Sequence, residues 1–222
     1  MTALAFDVYG TLIDTQGVVS LLESYLDEDS AQQFLNRWRD KQLEYSFRRG
    51  LMQQYQDFSV CTKDALQFTN NEHNAPLSDE QQESLLEAYK SLPAFDDVKT
   101  ALNKLNAAGV ECFAFSNGST SAVTELLENA ELSNYFKGIV SCEDVKSFKP
   151  NPDVYQHFLS KSGSREQNTW LISSNSFDII GAHAAGWKTA WVKRSKEAQF
   201  DPWGVNPTIT VGSLTQLIEN IK

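Results

Sequence analysis

Ala3-Leu4-Ala5-Phe6-Asp7-Val8-Tyr9-Gly10-Thr11-Leu12 sets the organisation of this 222-residue chain. Four apolar residues run into a carboxylate and then a glycine turn, the pattern of a short central strand buried on both faces. A carboxylate where such a strand ends does little for stability. It stands, however, where open α/β sheets build their sites, in the crevice beyond the carboxyl ends of the strands. Taken alone, Asp7 reads equally well as a turn or cap residue.

The next eighty residues read as helices. One spans about 16 to 27, and a longer one about 31 to 55 with Asp29 or Ser30 as its cap. Two more span about 60 to 73 and 79 to 91, with Ser78 and Asp79 as caps and Pro93 as the stop. The long helix carries apolar residues on more than one face, among them Phe34, Leu35, Trp38, Leu43 and Phe47, so it packs on two sides. Arg39 interrupts its stripe. On the residues alone the reading favoured is a snorkelling arginine whose stem covers apolar surface, over a cation aimed into a cleft.

From residue 93 the pattern alternates. A helix with Asp96 and Asp97 in its first turn runs to Ala108 and closes at Gly109. Strands are expected at 110–115, 139–141, 170–172, 189–192 and 208–210, with helices between them. Asn151 caps a helix that has Pro152 in its first position. Alternating strands and helices imply a parallel sheet with right-handed crossovers. The expected fold is α/β, a Rossmann-like parallel core built from residues 1–13 and 93–222, with an all-helical cap of residues 14–92 inserted after the first strand.

Composition narrows the function classes. With 41% apolar residues, five Trp, seven Tyr and thirteen Phe, the chain can build a core. No apolar run nears the roughly 20 residues that span a bilayer, and the N-terminus lacks a signal-peptide pattern, so a cytoplasmic protein is expected. Cys61, Cys112 and Cys142 are scattered and fit buried free thiols, with a nucleophilic cysteine as the lesser alternative. A net charge of -10 argues against nucleic acid and anionic membranes as partners, and means that an anionic substrate would need local basic groups. There is no Gly-x-Ser-x-Gly elbow, and His73, His157 and His183 have no triad context, which argues against a serine hydrolase.

Polar residues gather at the expected strand ends: Asp7 and Thr11, then Ser116 and Asn117, then Lys149 before the helix at 152, then Ser173, Asn175 and Asp178. In this order, Asp7-Val8-Tyr9-Gly10-Thr11-Leu12, Ser116-Asn117-Gly118, Lys149-Pro150 and Ser173-Ser174-Asn175 with Asp178 resemble the motifs of the haloacid dehalogenase superfamily. Trp38-Arg39 with Lys41-Gln42-Leu43-Glu44-Tyr45, together with Phe58 and Tyr155, resembles its L-2-haloacid dehalogenase branch. Superfamily phosphatases carry a second aspartate where this chain has Tyr9. A phenol with a pKa near 10 replaces a carboxyl general acid poorly. A metal-free reaction without cofactor is therefore expected over a Mg²⁺-dependent phosphatase or a silent binding protein on the same fold.

The resemblance implies that Asp7 attacks the halogen-bearing carbon of a short 2-haloacid and forms an ester. It implies that Lys149 and Arg39 neutralise charge and that Arg39 and Asn117 cradle the halide beside Phe58. Ser116 and backbone N–H groups near Val8 and Asn117 would hold the substrate carboxylate, helped by the start of the helix near residue 120. Thr11, Ser173 and Asn175 would orient Asp7 and Lys149, and Asp178 would activate water. Tyr9, Tyr155 and Phe177 are further expected contacts. Asp40 and Phe177 depart from the family's usual residues. Relatives are often homodimers, and Trp38, Tyr45 and Met52 could form an interface or pack inside the cap.

Overall fold

The computed structural model describes residues 2–73 and 77–221. Its centre is a six-stranded parallel sheet of β1 (Ala3–Asp7), β2 (Glu111–Ser116), β3 (Gly138–Ser141), β4 (Thr169–Ser173), β5 (Lys188–Val192) and β6 (Ile209–Val211). The strand order is β3-β2-β1-β4-β5-β6. The first strand therefore lies in the middle, with Asp7 opposite Phe115 on β2 and Phe6 opposite Ile172 on β4. Strand order reverses at β1, which is where a doubly wound sheet opens a crevice.

Strand residues alternate between two apolar layers, as the period of two requires. Leu4, Phe6, Cys112, Ala114, Trp170 and Ile172 face one layer, and Ala3, Ala5, Phe113, Phe115 and Leu171 face the other. The first layer continues into the helical segment through Phe34, Leu35, Trp38, Leu66 and Leu85. One face of the sheet and the inserted helices thus share a core.

The inserted segment comprises α1 (Val19–Glu23), α2 (Glu28–Leu51), α3 (Phe58–Glu72) and α4 (Asp79–Ala88). The remaining helices are α5 (Val98–Ala107), α6 (Thr120–Asn129), α7 (Pro152–Ser162), α8 (Ser176–Ala184) and α9 (Leu217–Asn220). The segment leaves and rejoins the sheet at one point, where Asp14 N donates to Pro93 O at 2.8 Å and Phe95 N to Leu12 O at 3.0 Å. We propose the division into 1–13 plus 93–222 and 14–92 on the strength of that crossing. Met1, 74–76 and Lys222 of those ranges lie outside the described residues.

Several helix ends differ from expectation. The first expected helix is a 3₁₀ turn, Thr15–Val18, followed by the short α1. Asp27, not Asp29 or Ser30, caps α2 by accepting from Ser30 N, which leaves Glu28 and Asp29 in the positive first turn. The helix stops at Leu51, and Gln53 then takes a left-handed φ of 56°. Asp97 occupies the cap position of α5, but its carboxylate serves Arg194, Ser213 and the N–H of Leu214 instead. Ser78 does cap α4, through a reciprocal pair with Gln81.

Candidate active site

The turn after β1 folds Thr11 back over Asp7. The Val8 carbonyl accepts from Thr11 N at 3.2 Å, Leu12 N at 2.9 Å and Ile13 N at 3.0 Å, and Gly10 supplies the left-handed φ of 82° that this tight loop needs. Thr11 Oγ1 then donates to Asp7 Oδ2 at 2.7 Å. Arg194 holds the same loop from behind by donating to the Thr11 carbonyl, and Asp97 holds Arg194 with two bonds of 2.8 and 2.9 Å.

The end of β4 supplies two more donors. Ser173 Oγ and Asn175 Nδ2 reach Asp7 Oδ2 at 3.1 and 2.8 Å. Oδ2 therefore receives three neutral donors, while Oδ1 receives one, Lys149 Nζ at 3.1 Å. Ser174 braces this side by donating to Gly10 O at 2.7 Å while its N–H reaches Thr11 Oγ1 at 2.8 Å.

Lys149 is 1% exposed and its ammonium is saturated with oxygen. It donates to Asp7, to Asp178 Oδ2 at 2.8 Å and to the Phe115 carbonyl at 2.8 Å, and it sits 4.2 Å from the centre of the Phe115 ring. Burial alone would favour the neutral amine. Asp178 and Asp7 outweigh it and hold the ammonium charged. Asp178 is wholly buried, and that desolvation pushes its carboxyl up to about 6 despite the lowering by Lys149. The two carboxylates that a divalent cation would need already share this ammonium. Among the described residues, no cluster of three or more His, Cys, Asp or Glu side chains could hold a metal ion. Lys149 thus holds the place between Asp7 and Asp178 that such an ion would take.

Asn117 Oδ1 accepts from Lys149 N at 2.9 Å, which fixes the amide and leaves Nδ2 without a partner among the described residues. Arg39 reaches in from α2. Its Nη2 donates to the Tyr9 carbonyl at 3.4 Å and its Nη1 to Gln42 Oε1. Asp40, next to it, is exposed. The Tyr9 ring lies between Phe58 at 5.7 Å and Tyr89 at 5.9 Å, and burial pushes its phenol far above the usual range. Phe177 meets Phe47 of α2 at 5.0 Å, edge to face.

The structure brings together Asp7, Thr11, Lys149, Ser173, Asn175 and Asp178. It moves others. Tyr155 is not on an open wall: it is buried against Phe115 and Trp187, and its hydroxyl donates to Asp178 Oδ1 at 2.8 Å. Ser116 Oγ is turned to its own loop and accepts from Gly118 N at 3.0 Å. The Val8 side chain is in the core, so only its backbone can serve a ligand. The first N–H of α6 is taken by Glu143 at 2.7 Å, so that helix end already holds an anion of the protein's own. Gln42, Tyr89, Ser174 and Arg194 were not singled out from sequence as site groups. Their roles are mostly contacts between segments twenty or more residues apart or bonds to main chain, which local pattern does not encode.

The cysteines are all buried, and burial pushes their thiols up, Cys61 to about 11 and Cys112 and Cys142 to about 12, so none is a thiolate near neutral pH. His157 pairs with Asp144 at 2.9 Å and His183 is exposed. Trp38 is buried inside the helical segment, where Nε1 donates to Thr62 O, so the stripe proposed as an interface is divided. No helix among the described residues is long and apolar enough to cross a membrane.

Known proteins resemble this chain over nearly its full length. The model of the haloacid dehalogenase-like hydrolase family matches residues 4–192. An (S)-2-haloacid dehalogenase of Pseudomonas putida is 36% identical over 215 residues, 96% of this chain and 93% of its own. Haloacetate dehalogenase H-2 of Moraxella sp. (strain B) is 32% identical over 219 residues, 99% of this chain and 97% of its own. The L-2-haloacid dehalogenase of Xanthobacter autotrophicus with chloropropionic acid covalently bound superposes with a TM-score of 0.91 at 28% identity, over 100% of both chains. Matched by that family's model over residues 4–192 and 36% identical to an (S)-2-haloacid dehalogenase over nearly its whole length, the chain belongs to the haloacid dehalogenase-like hydrolases, in the branch of the (S)-2-haloacid dehalogenases.

Proposed function

We propose that the protein hydrolyses short (S)-2-haloalkanoic acids to the inverted (R)-2-hydroxy acids and halide, through an ester on Asp7. The observation that carries this reading is the asymmetry of the Asp7 carboxylate. Oδ2 is held by Thr11, Ser173 and Asn175, while Oδ1 keeps lone-pair density beside a single ammonium. Oδ1 attacks C2 of the substrate from the face opposite the halogen, the C–O bond forms as the C–X bond breaks, and halide leaves with the bonding pair. Oδ2 is then the carbonyl oxygen of an ester, already surrounded by three donors. Water attacks the ester carbon, its proton passes to Asp178, and negative charge builds on Oδ2 where those donors stabilise it. The acyl–oxygen bond breaks as the departing oxygen takes the proton from Asp178 and leaves as the 2-hydroxy acid, and Asp7 loses the remaining proton of the water to solvent and is restored as a carboxylate with one oxygen from water.

Lys149 offsets the two carboxylates, and Arg39 with the free Asn117 amide offers the departing halide a cationic and a neutral donor. Tyr9 and Phe58, whose rings meet at 5.7 Å, offer aromatic surface beside the Tyr9 carbonyl that Arg39 reaches. The substrate class rests on the relatives: one is named for (S)-2-haloacids, another for haloacetate, and a third is solved with chloropropionic acid bound. In a single turnover of L-2-chloropropionate with excess enzyme in H₂¹⁸O, without added metal, halide appears and the peptide containing Asp7 gains ¹⁸O. Halide release without label in that peptide sinks the ester route, and phosphate release from a phosphomonoester with Mg²⁺ in place of halide release sinks the whole reading.

The buried base sets a pH limb. Asp178 must be ionised to accept the proton, so hydrolysis slows as pH falls through about 6. Tyr155 stabilises the ionised form by its hydrogen bond. Tyr155→Phe therefore moves the acid limb of kcat to higher pH, and an unshifted limb in the pH–kcat profile refutes that role. The reading extends to a cytoplasmic enzyme, for which three buried free thiols suit a reducing compartment. It extends also to a homodimer, with Leu51 and Met52 at the end of α2, 89% and 57% exposed, offering apolar surface to a second copy. Sedimentation at twice the 24.9 kDa of one chain supports the dimer, and a single-chain mass excludes it.

A further inference from the structure

Arg39 is held by a neutral group. Gln42, three residues on along α2, is 1% exposed, and both its amide oxygen and its amide nitrogen are engaged. Oε1 accepts from Arg39 Nη1 and from the Tyr89 hydroxyl at 3.2 Å, while Nε2 donates to Thr62 Oγ1 at 2.5 Å. Thr62 donates in turn to the Phe58 carbonyl at 2.9 Å. The amide is thereby fixed by α3 and by the residue that follows α4, and it fixes the guanidinium toward the Tyr9 carbonyl at 3.4 Å.

The other arginines of the same helix are treated differently. Arg37 pairs with Glu72, Arg48 with Glu44 and Arg49 with Asp64. Among the described residues Arg39 forms no ion pair, although Asp40 is its neighbour in sequence. A cavity of about 350 Å³, lined in part by Trp38, Arg39, Asp40, Gln42 and Tyr89, opens beside the pair.

We propose that Gln42 is a positioning residue for halide: its buried amide fixes the direction of Arg39 without neutralising it, so that the full charge is kept for the departing anion. The proposal rests on the reading of Arg39 given above. A carboxylate at this place would fix the same direction but satisfy the guanidinium with a charge-assisted pair. An apolar side chain would leave the charge and free the direction. The two requirements, aim and charge, can thus be removed one at a time.

Bromide is the probe, read in two ways. One is the rise in melting temperature in sodium bromide over sodium gluconate at equal ionic strength, which needs no turnover. The other is bromide inhibition of L-2-chloropropionate hydrolysis. In Gln42→Glu the bromide affinity and kcat/KM both fall about tenfold or more, with the unliganded melting temperature maintained. In Gln42→Met the affinity falls about threefold and kcat falls with it, which keeps the test open if the glutamate variant does not fold. A wild-type bromide response in either folded variant overturns the proposal, as does a wild-type protein that bromide does not stabilise. A wild type that binds bromide through Gln42 and Arg39 but releases no halide from the haloacid leaves Gln42 in place and overturns the function instead.

Discussion

Asp7→Asn lowers halide release from L-2-chloropropionate by roughly 10⁴-fold, with little loss of folding stability. The chemical argument is simple: the amide oxygen is a far weaker nucleophile than a carboxylate, and no other group stands in its place. Lys149 and Asp178 form a pair of their own, the thiols are buried and protonated, and the phenol of Tyr9 is pushed up by burial. The structural argument concerns the four donors. If the amide places its oxygen where Oδ2 lies, Thr11, Ser173 and Asn175 keep their acceptor. Its NH₂ then faces the Lys149 ammonium, an unfavourable contact at a group that Asp178 and Phe115 still hold. The melting temperature therefore falls by a few degrees only. The check is a halide assay on protein whose peptide mass is followed over time, because slow hydrolysis of the amide regenerates aspartate and activity together. Activity near wild type with the asparagine mass intact would remove Asp7 from the nucleophilic role.

Most of the residues that sequence could name share one property, that each ends a strand or follows one; Arg39, Phe58 and Tyr155, on helices, came from the resemblance alone. A parallel sheet whose first strand is central brings strand ends together by topology, so Asp7, Thr11, Ser173, Asn175 and Asp178 converge once the alternation of elements is recognised. Lys149 was legible through its place before a Pro-headed helix. Tyr155 was named but misplaced, because an aromatic on a helix gives the same signal whether it walls a pocket or backs a carboxylate. Gln42 was invisible as a site residue for a related reason. A glutamine among lysines and glutamates looks like a solvated face, and its burial appears only when Thr62, 20 residues on, and Tyr89, 47 residues on, close over it. Arg194 belongs to the same class, since its bonds to the Thr11 carbonyl and to Asp97 span 183 and 97 residues. Helix ends were misjudged where two acidic residues competed for one cap, as at Asp27 and Asp29. Asp97, expected in the first turn of its helix, sits one place earlier at the cap position, and its carboxylate is drawn to Arg194 instead of the helix end.

Lys149→Met is expected to cost about 3 to 5 kcal/mol of stability at pH 8, because it leaves two carboxylates in the interior with no cation between them. For a chain of this size that is a fall in melting temperature of roughly 10 °C. The penalty has a definite pH dependence. In the wild type the folded pKa of Lys149 is raised above its unfolded value, so its contribution is fully present below about pH 10 and is lost only as pH rises through the folded pKa. Between pH 5 and 8 the ammonium stays charged, while in the wild type too Asp178 takes up a proton as pH falls through about 6. In the variant, burial and the repulsion between Asp7 and Asp178 act on the carboxylates without the opposing lysine. The folded form then binds a proton that the unfolded chain, with carboxyl pKa values near 4, has released. Stability of the variant rises as pH falls toward 5, and the gap to wild type narrows by about 1 to 2 kcal/mol. Denaturant unfolding of both proteins at pH 8 and pH 5 measures this directly. A gap of equal size at both pH values would mean that the cost lies in packing around the methionine, and that the shared ammonium is not what lowers the pKa of the buried Asp178 carboxyl.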